Sequence, residues 1–309
     1  MHIILTGYSG RKEEYMLISI PLDCFINDND FPFFIQNGSH DADLYMHSHL
    51  DYTELVIVLS GTAIHKVNNE SYFIKKGDVF VISDDTIHGY ENTNNFRICN
   101  IMYRANRLSG FHTEVRKLPG FHALFMLEPY FSKEHGFQSK LRLKLGHFEY
   151  VNTILSNILT EYEQQVCGWR DMIDSYFTQL VVYLSRIYTQ TNDNTLTSDN
   201  TSTNIINIAN SLSYIESNFT EQITVEQLAA RSHVSVRHFS RIFKATYNTS
   251  PSIYILSLRL EYACVLLKTT NHNISEIALQ SGFTNSNYFT RQFHKKFQIT
   301  PKEYRNQNK

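Results

Sequence analysis

Two short runs near the C-terminus carry side chains whose types and spacing suit reading the edges of DNA base pairs. Arg237, Ser240 and Arg241 fall on one, and Asn287, Tyr288, Arg291 and His294 on the other, each set grouped by the i, i+3 and i+4 steps that share a helix face. Arginine grips guanine and asparagine grips adenine through paired hydrogen bonds, each good pair discriminating by about 1–3 kcal/mol. Lys295, beside the second set, is placed to touch a phosphate. A lone surface arginine is more often simply solvated, and Arg241 and Arg291, at matched positions, have a competing use in clamping a phosphate or an acidic neighbour within the fold. Two such faces on duplicated text favour base reading.

The duplication also names the elements that must hold these faces. From Leu228 the chain reads Leu-Ala-Ala-Arg-Ser-His-Val-Ser, then Phe239, Arg241, Phe243, Lys244, Pro251 and Tyr254; from Ile277 it reads Ile-Ala-Leu-Gln-Ser-Gly-Phe-Thr, then Phe289, Arg291, Phe293, His294, Pro301 and Tyr304. The offset is 49 residues through Ser232 and Ser281 and 50 from Phe239 and Phe289 onward, as though the second turn had gained one residue. Thr224 with Gln227, and Asn273 with Glu276, have the spacing of reciprocal N-terminal caps. Ala229 and Ala278 let helices approach closely, and Gly282 suits a left-handed turn position that His233 fills in the first copy. Behind the reading faces, Phe239, Ile242 and Phe243, and Phe289, Phe293 and Phe297, form core-facing stripes. Between the copies, apolar residues at helical spacing from Ser252 to Lys268 predict one long helix. Reading heads held about 34 Å apart by such a rod reach successive major grooves.

Charge and composition divide the chain. Tyr214 to Lys309 holds 12 Lys plus Arg against 6 Asp plus Glu, whereas the first 213 residues hold 16 against 24, so a net charge of −2 hides a basic end that phosphates attract. Residues 189–204 contain one apolar residue in sixteen and are expected to be a flexible linker between domains at 1–188 and 205–309. At 42% hydrophobic over 309 residues, each domain is expected to build its own core. Cys24, Cys99, Cys167 and Cys264 form no metal or disulfide pattern, which suits a reducing cytoplasm. The opening Met-His-Ile-Ile-Leu-Thr-Gly-Tyr does not fit a signal peptide, and no stretch approaches the ~18 apolar residues of a membrane span.

The first domain begins as β text. Thr53 to Leu59, Ala63 to Val67, Tyr72 to Ile74, Val79 to Ile82 and Arg97 to Tyr103 are short runs broken by Gly61, Asn68-Asn69, Gly77-Asp78 and Asn92 to Asn95, the pattern of a sandwich or barrel. From Leu143 to Glu163 and Trp169 to Tyr188 the period becomes helical, giving two trailing helices that pack on the barrel or on a second copy of the chain. His47 and His49, two apart on a strand, point to one face. Glu54, seven residues after His47, joins them only if the chain breaks between Leu50 and Thr53.

Residues 205–306 resemble the DNA-binding domain of the AraC/XylS family of bacterial transcription regulators. The likeness rests on the first motif, on Arg259-Leu260, Ala263 and Leu266-Leu267, and on Ile274 to Ala278 with Gly282-Phe283. It continues through Tyr288 to Phe293, Thr300-Pro301 and Tyr304-Arg305. Asn248 and Gln298 stand where that family usually ends the recognition helix with glycine, and His294 where lysine is common. The resemblance implies a double helix-turn-helix domain, double-stranded operator DNA and RNA polymerase as partners, a homodimer, and a bacterial cytoplasmic setting without a membrane.

The run His47-Ser48-His49, Glu54 and Gly61, followed by Gly77, Ser83, Asp85, His88 and Asn92, is similar to both motifs of the cupin barrel family. That likeness implies a metal at His47, His49, Glu54 and His88, and three imidazoles with a carboxylate do suit a divalent transition metal such as Mn, Fe, Ni or Zn. Against it, regulators with this barrel normally sense rather than catalyse, and Ser83 and Asp85 replace the usual proline and glycine. The arrangement also resembles the sugar-responsive branch, the regulators of arabinose and especially rhamnose utilisation. This implies a small-molecule effector, a sugar, near His65, His88, Tyr90 and Tyr103, where polar and aromatic groups converge in an apolar barrel. For each of these residues a satisfied core aromatic is an equal alternative. The expectation is therefore a ligand-responsive, DNA-binding activator. A metal-dependent cupin enzyme acting on a sugar, with a DNA-binding tail, stands second, and a ligand-independent architectural DNA binder third.

Overall fold

A computed structural model describes residues 18–308 apart from positions 27, 29, 41, 85, 111, 112, 136–140 and 194–199. Asp85 of the barrel motif, the first 17 residues and the middle of the expected linker lie outside the described residues. Eight strands form one sheet: β1 (Ile18–Ile20), β2 (Phe33–His40), β3 (Leu44–His49), β4 (Thr53–Val67), β5 (Glu70–Lys75), β6 (Asp78–Ile82), β7 (His88–Tyr103) and β8 (Leu141–Arg142). The long strands β4 and β7 are its spine, paired antiparallel from Thr53↔Tyr103 to Val67↔His88. Each serves two further partners along its length, β7 pairing β2 at one end and β3 at the other, β4 pairing β6 and then β5. Register shifts between Val58 and Ile64 bend the spine, and a bend that switches partners curls a sheet into a barrel.

Alternation then separates two apolar layers. Val56, Val58, Phe80, Ile82, Tyr90, Phe96 and Ile98 fill the barrel, while Leu55, Ile57, Val79, Val81, Cys99, Ile101 and Tyr103 turn outward to the helices. The expected strands are longer than the sequence pattern indicated, because Gly61 and the Asn92 to Asn95 run bend β4 and β7 without ending them.

After the barrel come α1 (Asn106–Ser109), α2 (Thr113–Arg116), α3 (Pro119–Phe121), a π-helical turn at His122–Leu127 and α4 (Glu128–His135), none of which the periodicity revealed. The two expected trailing helices are present as α5 (Leu145–Gln164) and α6 (Trp169–Asp193), and α7 (Asn200–Asn218) follows. The expected linker at 189–204 is thus helical at both ends. Packed Ile187 and Tyr188 carry α6 forward, and the Thr189 and Thr191 hydroxyls donate to the carbonyls of Ser185 and Ile187 instead of competing for backbone elsewhere.

The first reading head is α8 (Val225–Arg231) and α9 (Val236–Tyr247), the rod is α10 (Pro251–Thr269), and the second head is α11 (Ile274–Gln280) and α12 (Ser286–Phe297), closed by α13 (Pro301–Gln307). Only the second head builds its own core, from Leu260, Ala263, Leu267, Ile277, Phe289, Phe293 and their neighbours. The first head does not, contrary to expectation. Phe239, Ile242 and Phe243 belong to one continuous cluster that runs through α7, the π-helical turn and α6 to the outer face of the barrel.

Polar contacts stitch the same interface. His122 Nε2 donates to the Arg116 carbonyl, so its Nδ1 accepts from the Tyr247 hydroxyl at 2.5 Å. Ser213 donates to the Lys117 carbonyl, and Arg116 lies 3.7 Å from Glu216, which also accepts from Tyr254. Where α3 crosses α6, a Cβ on Gly120 would stand 1.9 Å from the Ser185 carbonyl oxygen. Gly120→Ala should therefore destabilise the sensor by about 3 kcal/mol, the upper end for overpacking, as read from denaturant melts of the full chain.

Candidate functional sites

Each recognition helix is held at both ends by local chemistry. The caps expected at Thr224 and Asn273 are complete boxes, with Gln227 and Glu276 reaching back to the cap amides. Ser235 caps α9 through the His238 amide, and Asn285 caps α12 through the Asn287 and Tyr288 amides. Both turns have the same backbone bonds, Val234 N–H to the Ala229 carbonyl and Phe283 N–H to the Ala278 carbonyl, which require a left-handed residue between. His233 adopts φ 54° there and Gly282 φ 85°. Asn248 and Gln298, where the related family uses glycine, take the same left-handed geometry at φ 54° and 62°.

This scaffold leaves the expected reading residues outward. Arg237, Arg241, Asn287, Tyr288, Arg291, His294 and Lys295 are exposed and Ser240 is half-buried, while Phe239, Ile242, Phe243, Phe289 and Phe293 are buried behind them. Arg291 lies over the Tyr288 ring at 5.6 Å, a pairing that steers the guanidinium along the face. Arg241 differs. Its guanidinium donates to the Tyr130 hydroxyl of α4 at 3.0 Å, so a sensor-domain residue engages a reading residue. Lys244, exposed one turn beyond Ser240 and Arg241, extends the first face; its i+3 spacing was visible in the sequence. Lys296 points elsewhere, pairing with Glu261 at 3.0 Å.

The barrel gathers a second site. β3 ends at His49 and β4 begins at Thr53, so the chain breaks where Glu54 needs it. His47 pairs across the sheet with His88, and His65 with Tyr90. His47, His49 and His88 each bring a ring nitrogen within 4.8 Å of the others. The Nε2 atoms of His49 and His88 are 3.1 Å apart, and Glu54 Oε2 sits 3.7 Å and 3.8 Å from them. His47 Nδ1 donates to the Tyr45 carbonyl at 3.0 Å, which leaves its Nε2 lone pair available as a ligand. His49 stacks on Tyr52, and His65 lies between Phe80 and Tyr90. Tyr103 is not with them. It has the opposite strand parity and packs against Phe177 of α6.

Burial keeps this cluster neutral. It pulls His49 down to about 3, with the neighbouring His47 adding to the effect, and holds His88 well below the usual imidazole range. It pushes Glu54 up to about 8 and Tyr90 well above an ordinary phenol. The Nδ1 atoms of His49 and His88 and the Tyr90 hydroxyl are buried without a hydrogen-bond partner among the described residues. Neutral imidazoles with free lone pairs beside a carboxyl are the donor set of a divalent transition metal, so His47, His49, His88 and Glu54 fit the ion that the barrel motif implies. The orphaned buried donors and acceptors would equally be satisfied by a hydroxylated ligand.

A barrel with an inward polar cluster, packed on paired DNA-reading helices, defines a transcription regulator with a sensory domain. Residues 33–181 match the AraC-like ligand binding domain and residues 228–307 the helix-turn-helix domain, so the chain has the AraC-like two-domain architecture. It is 25% identical to the HTH-type transcriptional activator RhaR of Mannheimia succiniciproducens over 91% of this chain and 94% of that one. It is 29% identical to the HTH-type transcriptional activator RhaS of Escherichia fergusonii over 83% and 86%. The C-terminal domain of the response regulator yesN from Fusobacterium nucleatum aligns with 31% of this chain and 93% of its own at 38% identity and a TM-score of 0.30. Among the described residues no single helix is long and apolar enough to cross a membrane.

Two outcomes follow from the sites. Glu54 binds its proton more tightly folded than unfolded, so it subtracts stability as pH rises from the ordinary carboxylate range through about 8. Histidines depressed by folding act only below about 6.5, leaving the window from pH 6.5 to 8 to Glu54. There the chelator-treated protein should lose about 1–2 kcal/mol in denaturant melts, and Glu54→Gln should flatten the slope. On DNA, Arg237→Ala should cost about 1–3 kcal/mol at particular base pairs, whereas Lys295→Ala should weaken binding evenly and reduce the salt slope by about one. Equal effects of both changes on every sequence would count against the assigned faces.

Proposed function

We propose that the chain is a sequence-specific DNA-binding transcription activator, working as a homodimer, whose barrel binds a small metabolite and whose reading heads recruit RNA polymerase to a promoter. The observation that carries this reading is the pair of capped recognition helices with outward Arg, Asn and Lys on a common rod. Relatives named as activators support the direction of regulation. Arg237, Ser240, Arg241, Asn287, Tyr288, Arg291 and His294 read bases, and Lys295 holds a phosphate.

The effector proposed is a sugar, because buried imidazole nitrogens and the Tyr90 hydroxyl suit hydroxyls while the aromatic rings of Tyr52, Phe80 and Tyr90, packed beside the imidazoles, supply an apolar surround for CH groups. His47, His49, Glu54, His65, His88 and Tyr90 form this site. Tyr103 is left out of it, since its ring packs against α6. A divalent transition metal on His47, His49, His88 and Glu54 would supply a Lewis-acidic anchor for a ligand oxygen. The carboxyl would then give up its proton as the ion binds. The same donor set keeps a sugar-acting metalloenzyme as the second reading.

A thermal-shift screen of pentoses, deoxyhexoses and uronic acids, with and without Mn, Ni or Zn, tests the reading. A ligand at 100 times its Kd stabilises by about 2.7 kcal/mol. The shift should disappear in His49→Ala and should accompany a change in affinity for promoter DNA. Turnover of the sugar by stoichiometrically metal-loaded protein would favour the enzyme, and no shift with any compound would favour an architectural DNA binder.

A further inference from the structure

The rod is not the only element that relates the two heads. α10 packs on both heads, with Tyr254 against Phe243 and Tyr247 of the first and Leu260, Ala263 and Leu267 in the core of the second, and short segments at Ser250 and 270–273 join it to each. A second connection crosses beside it. Arg259, midway along α10, donates through Nε to the Phe219 carbonyl and through a terminal nitrogen to the Glu221 carbonyl, both at 2.6 Å. Those carbonyls belong to the segment between α7 and α8, which leads directly into the Thr224 cap of the first head.

The same segment touches the turn of the second head. A Cβ on Gly282 would lie 2.6 Å from the Thr220 oxygen and 2.9 Å from Arg259 Nε, and Gln222 Nε2 reaches the Gly282 carbonyl at 3.5 Å. The Phe219 ring meets Tyr262, one turn along the rod, edge-on at 5.6 Å. Three parts therefore converge on one guanidinium: the segment before the first head, the rod, and the turn that aims α12.

We infer that Arg259 is a positioning residue that fixes the distance and angle between the recognition helices α9 and α12, and thereby sets the spacing of the two half-sites the protein accepts. The planar fork suits this task because it bonds two carbonyls at once in a fixed geometry, which an ammonium cannot do. Each added base pair moves a half-site along the duplex and rotates it around the axis, since one turn spans 10–10.5 base pairs and about 34 Å. A braced pair of heads tolerates neither displacement. An unbraced pair is held to the rod by apolar packing alone, which is non-directional and shifts where a two-bond fork does not.

This inference rests on the DNA reading proposed above, and one experiment separates the two. The full chain selects sites from a random duplex library, and Kd is then measured on duplexes with one to three base pairs inserted between or deleted from the half-sites. The wild type should lose at least about tenfold in affinity per single-pair change, whereas Arg259→Ala should lose less than about threefold with base preferences inside each half-site unchanged. Arg259→Lys, which keeps the stem and charge but not the fork, should fall between them and serves if the alanine variant does not fold. A spacing profile unchanged in the variants, or a uniform loss at every spacing, overturns the inference. Failure of the wild type to select any two-part site overturns the DNA reading and this inference with it.

Discussion

A twelve-residue helix in water is marginal, so neither recognition helix could present a reading face by its own propensity. What makes α9 and α12 exist as surfaces is the burial of two or three aromatic and aliphatic side chains on the reverse face, Phe239, Ile242 and Phe243 in one, Phe289 and Phe293 in the other. Caps and left-handed exits then fix where each helix starts and stops. Most of the outward residues add little to the fold, Arg241 with its bond to Tyr130 excepted, and Arg237 and Asn287 have the exposure of groups kept for a partner.

The barrel solves a different problem. Polar side chains enclosed among Phe80, Phe96 and Tyr90 must be neutral or paired, and burial drives Glu54, His49 and His88 toward their uncharged forms. A neutral cluster is compatible with an apolar interior and still offers lone pairs and a releasable proton to whatever enters.

The double helix-turn-helix was legible because it is local: caps three residues apart, a turn residue, and stripes at helical spacing all lie within each copy. Even the one-residue offset is physical, since α12 is capped by Asn285 one position later than Ser235 would suggest. The histidine cluster was legible through strand parity and the break at residues 50–52, which freed Glu54 to turn inward. Tyr103 lies an odd number of positions from Tyr90, Phe96 and Ile98, so the same parity turns it outward, and sharing a strand with Tyr90 does not place it in the site. Helices α1–α4 and the π-helical turn were hidden by mixed short periods, and so were the helical ends of the expected linker, because a Thr- and Asn-rich segment can continue a helix that packing has already nucleated. Contacts such as Arg241 with Tyr130 join residues more than a hundred positions apart, and no local pattern encodes them.

The continuous apolar cluster from the barrel to Ile242 has an energetic corollary. Loosening the sensor strips neighbours from the first head and exposes its apolar back, whereas the second head, with a self-contained core, keeps its own. The two ends of the rod thus belong to different cooperative units. Backbone amides of α9 should share the exchange protection of α6 and the π-helical turn, while those of α12 open on their own schedule, so the molecule is symmetric in its motifs and lopsided in its mechanics.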